Sequence, residues 1–147
     1  MTILVDADAC PVKDQIYAAA YRHQTPVRLY AASYLRHPEH PLISMITAGD
    51  AFDAADDRIV ADAGPGTLVI TADLPLAGRA IEKGASVLTH RGEVLDASNI
   101  GARFATRDLL ADLRSGLEGQ GLGGPRAFSK ADRSAFAQAI QTALRKL

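Results

Sequence analysis

The sequence predicts a three-layer α/β fold, with a mostly parallel sheet of about five strands lying between helices. Three observations predict it. Short apolar runs recur through the first two thirds of the chain, and helical patterns alternate with them. Prolines and glycines fall where strands hand over to helices and where helices stop. Beyond the last apolar run the pattern turns wholly helical. Strands alternating with helices at this rhythm build a parallel sheet covered on both faces.

Taken in order, Ile3-Leu4-Val5 is a buried strand ending at Asp6. Pro11 suits a first helical position, where its missing N–H costs nothing. Val12, Ile16, Ala19 and Ala20 continue that helix at helical spacing to about His23. Val27 to Ala31 is a second strand, and Ser33 to Pro41, punctuated by Pro38 and Pro41, is a loop. Leu42 to Ala48 fits either a short helix or a strand and is read as helix, then strand. Asp53 to Ala63 is a helix stopped by Gly64-Pro65-Gly66. Thr67 to Thr71 is the clearest strand. Pro75 opens the next helix, whose stripe of Leu76, Ala77, Ala80 and Ile81 ends at Gly84. Ala85 to Leu88 is the fifth strand, and Ala97 to Arg114 is a helix. Ser129 to Leu147 is a last helix, with Ser129 and Asp132 spaced as a capping box. Its face of Phe136, Ile140, Leu144 and Leu147 has to dock on the domain or on a second copy, so a homodimer is one outcome.

The chain is read as one domain over 1–147, with an α/β core over 1–114, a Gly-rich connection over 115–128 and a C-terminal helix over 129–147. Its 147 residues are 48% hydrophobic with a net charge of −1, which excludes a disordered chain. No apolar run reaches the roughly 20 residues of a membrane span. An acid at position 6 and no basic start predict no signal peptide. The one cysteine, Cys10, makes neither a disulfide nor a Cys-based zinc site within the chain, which fits a reducing cytoplasm. Near a helix start, Cys10 reads as a small buried residue rather than a nucleophile. Arg outnumbers Lys twelve to four, and Asp outnumbers Glu thirteen to four. Arginine suits phosphate, and the short Asp suits caps, turns and hard-metal sites.

Sites in parallel sheets form beyond the carboxyl ends of the strands. Two strand ends carry acids there: Asp6-Ala7-Asp8 and Thr71-Ala72-Asp73. Asp53, Asp56 and Asp57 form a third group, on one face of the middle helix. Asp53, Asp56, Asp57 and Asp73 also have a plain role open to them, as a cap or as a partner for a helix N-terminus. That role is less open to Asp6, which ends an apolar strand near the buried sheet edge. If the three groups converge, their charges need a cation between them. Mg²⁺ or Mn²⁺ is the candidate, since both prefer carboxylate and water oxygens. Two such ions about 4 Å apart stabilise the attacking and leaving oxygens of a phosphodiester displacement.

The segments Val5-Asp6-Ala7-Asp8-Ala9-Cys10-Pro11, Ala48-Gly49-Asp50-Ala51-Phe52-Asp53-Ala54-Ala55-Asp56 and Ile70-Thr71-Ala72-Asp73-Leu74-Pro75-Leu76-Ala77 resemble the bacterial YaiI/YqxD family. So do His90-Arg91-Gly92-Glu93 and Gly123-Gly124-Pro125. The resemblance runs nearly the whole chain, but the family carries no settled activity. A more distant likeness is to PIN-like nuclease domains, through Asp6, Asp56 with Ile59, and Thr71 with Asp73. It implies neighbouring first and fourth strands, Asp6 facing Asp73, and metal-dependent RNA cleavage. On that likeness Asp6, Asp8, Asp56 and Asp73 are the metal and catalytic set. Asp53, Asp57 and Thr71 stand behind them. Asp8 departs from the Asn or Ser of many PIN domains, and His90 stands near the place of their fourth acid.

Substrate contacts need cations. Arg103, Arg107 and Arg114 lie within about 40° of one another on a helix, and with Arg91 they can grip phosphates or simply face water. Tyr30 and Tyr34 can stack on bases or serve the core. The His37/His40 pair lies in a proline-rich loop and reads as a bystander. Two other readings stay open. Asp6-x-Asp8 is also the nucleophile-and-acid signature of haloacid-dehalogenase-type phosphatases, but Lys83 is the only mid-chain lysine and Asp56-Asp57 precede the fourth strand. The domain can also be a catalytically inactive binder of RNA or protein.

Overall fold

The computed structural model describes residues 1–116 and 127–146. Its strands are β1 (Thr2–Asp6), β2 (Val27–Ala31), β3 (Ile43–Thr47), β4 (Thr67–Ile70), β5 (Ser86–Leu88) and β6 (Val94–Leu95). Its helices are α1 (Lys13–His23), α2 (Ala54–Asp62), α3 (Leu74–Glu82), α4 (Ile100–Gly116) and α5 (Lys130–Arg145). The strands form one sheet in the order β3-β2-β1-β4-β5-β6, parallel except for the β5–β6 pair.

Alternation within each strand sorts side chains to two faces. Ile3, Val5, Leu29, Leu68, Ile70 and Leu88 pack on one side with Ile16 and Ala20 of α1 and Phe136, Ile140 and Leu144 of α5. Leu4, Tyr30, Val69 and Val87 pack on the other with Ile59 of α2 and Leu76, Ala77 and Ala80 of α3. Three layers result, as the alternation of strand and helix predicts. Helix α5 therefore docks its apolar face on its own domain. Burying Phe136, Ile140 and Leu144 contributes roughly 1.5–3 kcal/mol each. Its start is held by a capping box: Ser129 Oγ accepts the Asp132 amide at 3.2 Å, and Asp132 accepts the Ser129 amide at 2.9 Å.

Among the described residues the sheet has six strands, in line with the expected count of about five; the sixth, β6, is too short to show any period. Other element expectations need correction. Leu42 to Ala48 holds no helix; Ile43–Thr47 is all strand, paired in register with Val27–Ala31. Helix α1 starts at Lys13, two residues beyond Pro11, with Val12 at its N-cap. Pro75 is the second residue of α3, since Leu74 follows the Asp73 cap. Of the connection placed at 115–128, Ser115 and Gly116 close α4 and residues 117–126 lie outside the described part. The expected helical positions of Arg114 and Leu147 have no described side chains.

Chain order positions the site. From β1 the chain builds outward through β2 and β3, then returns to the other side of β1 with β4 and continues to β5. The loops leaving β1 and β4 therefore diverge to opposite faces and open a crevice at their carboxyl ends. No helix among the described residues is long and apolar enough to cross a membrane.

Candidate functional site

Parallel pairing of β1 with β4 runs from Thr2↔Thr67 to Val5↔Ile70, so the next residues, Asp6 and Thr71, meet side by side at the crevice. The buried Thr71 hydroxyl donates to Asp6 Oδ2 at 2.9 Å and accepts the Asp73 amide at 3.0 Å. One threonine thus links the two strand-end acids. Asp73 is the N-cap of α3: its Oδ1 accepts the Leu76 amide at 3.1 Å. This is the capping role open to it from sequence. It also fixes the carboxylate, whose Oδ2 accepts no hydrogen bond among the described residues.

Asp8 stands exposed beyond β1 and accepts the Ala32 amide at 3.2 Å. With Asp53 and Asp56 it lines a cleft of about 190 Å³, floored by Ala32, Gly49, Ala51, Ala54 and Ala55. Asp53 precedes α2 in a left-handed conformation, φ 58°, and its side chain caps nothing. Asp57 faces elsewhere, in an exposed ion pair with Arg79 of α3 at 2.9 Å.

The electrostatics tie these acids together. Burial pushes the Asp6 carboxyl up from 3.8 to about 6; the Thr71 hydrogen bond opposes the rise, and the charges of Asp56, Asp73 and Asp8 add to it. Asp56 is raised too, by burial first and then by Asp73 and Asp53, with Arg79 offsetting part of it. Neither Asp6 nor Asp73 has an arginine or lysine ion pair among the described residues. Acids from β1, α2 and the β4–α3 turn therefore converge. They do not form a finished cage: among the described residues no three acidic, histidine or cysteine side chains stand ready to hold one ion. The donor set suits Mg²⁺ or Mn²⁺ in the form such ions often take, held by one or two carboxylates with waters completing the shell.

The expected cations are placed differently. Arg91 donates to the buried Asp132 at 2.7 Å and lies over the Phe128 ring, so it joins the β5–β6 turn to α5. Arg103 pairs with Glu93 at 2.9 Å. Arg107 is exposed on α4 with no ion pair among the described residues. Tyr30 is a core residue whose hydroxyl donates to Asp62 at 2.6 Å; Tyr34 is exposed. Cys10 is buried, which raises its thiol pKa, as a structural residue requires. His37 and His40 sit in the loop before β3, His40 against the Tyr21 ring at 4.6 Å. His90 Nε2 is buried without a partner among the described residues, and burial lowers its pKa. Lys83 closes α3 and forms no ion pair among the described residues. Sequence reasoning missed Phe52, fully exposed beside the cleft; its only signal was an apolar residue between Ala51 and Asp53.

Comparison with known proteins covers the whole fold. The profile of the uncharacterised YaiI/YqxD family matches residues 4–146. A UPF0178 protein of Jannaschia sp. (strain CCS1) is 63% identical over 145 residues, 99% of this chain and 93% of the relative. One from Sphingopyxis alaskensis is 52% identical over 142 residues, 97% and 92% of the two chains. One from Rhodopseudomonas palustris (strain BisB18) is 50% identical over 145 residues, 99% and 92%. No solved structure matches the chain.

Proposed function

The chain belongs to the YaiI/YqxD family, and from that premise we propose that it is a divalent-metal-dependent phosphodiesterase acting on RNA. One observation carries the reading: Asp6, a half-buried carboxylate at the crevice between β1 and β4, is surrounded by Asp8, Asp56 and Asp73 with no cation paired to it. Such a group is unfavourable in isolation and favourable around a doubly charged ion. The PIN-like pattern of Asp6, Asp56 and Thr71-x-Asp73 supports phosphodiester hydrolysis and RNA over other phosphate esters. The three-layer sheet with β1 beside β4 is consistent with it.

Asp6 and Asp73 would hold Mg²⁺ or Mn²⁺, with Asp8 and Asp56 completing the set directly or through water. Such an ion supplies charge neutralisation for the phosphate and acidifies water to a usable nucleophile. Thr71 orients Asp6 through its hydroxyl, and the Leu76 amide keeps Asp73 in one rotamer. Arg107 is the expected phosphate cation left without an ion pair among the described residues.

The test combines binding and turnover. Millimolar Mn²⁺ should raise the melting temperature of the native chain but not of Asp6→Asn or Asp73→Asn. A labelled RNA should be cut only with Mn²⁺ or Mg²⁺ present, and by neither variant. Absence of a Mn²⁺ shift in the native chain would overturn the metal site, and an intact shift without cleavage would overturn the nuclease.

A further inference from the structure

Large apolar side chains left in water forgo the gain of burial. Singly they are ordinary, so their placement is what counts. Phe52 is 93% exposed and Tyr34 67%. Both lie on the loops that frame the acidic cleft. Phe52 stands between Ala51 and Asp53, each of which lines it, and Tyr34 follows two residues after Ala32, which also lines it. The two loops are joined: Gly49 N–H donates to the Ala32 carbonyl at 3.0 Å, and Ala32 N–H donates to Asp8 at 3.2 Å. Arg36, exposed two residues beyond Tyr34, has no ion pair among the described residues. Two aromatic faces and a cation thus sit on the loops around the acids.

We propose that Phe52 and Tyr34 are stacking platforms for the unpaired bases of single-stranded RNA entering the acidic cleft, with Arg36 on the phosphate backbone. The inference rests on the phosphodiesterase reading for its substrate. A phenylalanine has no polar atom with which to read a base edge, but every base has a face to lay against it. Bases inside a duplex are stacked on one another and cannot reach these rings. The preference is therefore for single strands, with little regard for sequence.

The chain contains no tryptophan, so Phe52→Trp places a single indole at the rim. Titrated in EDTA, where cleavage is excluded, its emission should be quenched by a short oligouridine and not by duplex RNA. Phe52→Ala with Tyr34→Ala should weaken oligouridine binding about tenfold or more, with the fold unchanged by circular dichroism. An unmoved emission, or a double variant that binds like the native chain, overturns stacking and leaves Phe52 to a protein partner or to solvent. The Mn²⁺ melting shift separates the two readings. A shift without quenching sinks the stacking platforms alone; quenching without a shift sinks the metal site and leaves the platforms standing.

Discussion

Thr71 donates its hydroxyl proton to Asp6 at 2.9 Å across the first and fourth strands, yet the Asp6 carboxyl still titrates near 6. One hydrogen bond to the charged form has been outweighed by burial and by three neighbouring carboxylates. The consequence for stability follows from proton counting. An unfolded Asp6 releases its proton near 3.8, the folded one near 6, so between those values the folded chain binds more proton. Stability from this group is full below the lower value and lost as pH rises through the upper one. The shift corresponds to about 2 kcal/mol once partial exposure is allowed for. Asp6→Asn should therefore stabilise the metal-free protein at pH 7 by about that amount, with the gain shrinking as pH falls toward 4. Urea midpoints of both chains across that range check it.

Asp57 gives the opposite case among the acids of α2. Its partner is Arg79 in an exposed pair, with both side chains about half in water. Such pairs contribute roughly 0–1 kcal/mol. Asp57→Asn should lower stability by less than that and keep the Mn²⁺ melting shift, whereas Asp73→Asn abolishes the shift. Equal loss in both variants would move Asp57 into the metal set.

How much of this was legible in the chain depends on distance along it. Apolar runs and helical spacing are local, so β1, β2, β4, β5 and the capping box of Ser129 and Asp132 could be read directly, whereas β3 was read partly as helix. A parallel sheet puts its strand ends on one edge, which made Asp6 and Asp73 candidates for one site, while their facing each other was implied only by the PIN-like likeness. What escaped required knowing which surfaces pack. Arg91 and Asp132 are 41 residues apart, and no spacing rule pairs them. Asp57 turned to Arg79 only because α2 lies beside α3. Phe52 drew no reading from the sequence, and only the fold shows it 93% exposed.

Tyr30 and Tyr34 carry the same ring to opposite ends of that scale. Tyr30 is buried, and its hydroxyl, pushed up to about 12 chiefly by burial, donates to Asp62 at 2.6 Å. Tyr30→Phe should cost about 1–2 kcal/mol in urea unfolding and leave RNA affinity alone. Tyr34→Phe should cost nothing measurable in stability and, if stacking is its role, nothing in affinity, because the ring face remains.

Gly92 and Gly101 test the docking of α5 with one kind of substitution. Gly92 lies in the β5–β6 turn at φ +87°, a conformation that a Cβ disfavours by about 1 kcal/mol. A Cβ there would also meet the Ala135 carbonyl oxygen of α5 at 2.9 Å and its carbon at 3.0 Å, so backbone has to move. The same turn holds α5 through Arg91 and Asp132 at 2.7 Å, and any shift strains that half-buried pair. Together these should make Gly92→Ala destabilising by about 2–4 kcal/mol. Gly101, near the start of α4, has nothing within 4 Å of its Cβ position. Gly101→Ala should stabilise by up to about 1 kcal/mol through helix propensity. Thermal unfolding of the two variants beside the native chain should therefore give shifts of opposite sign; a neutral Gly92→Ala would mean that the turn is not what seats α5.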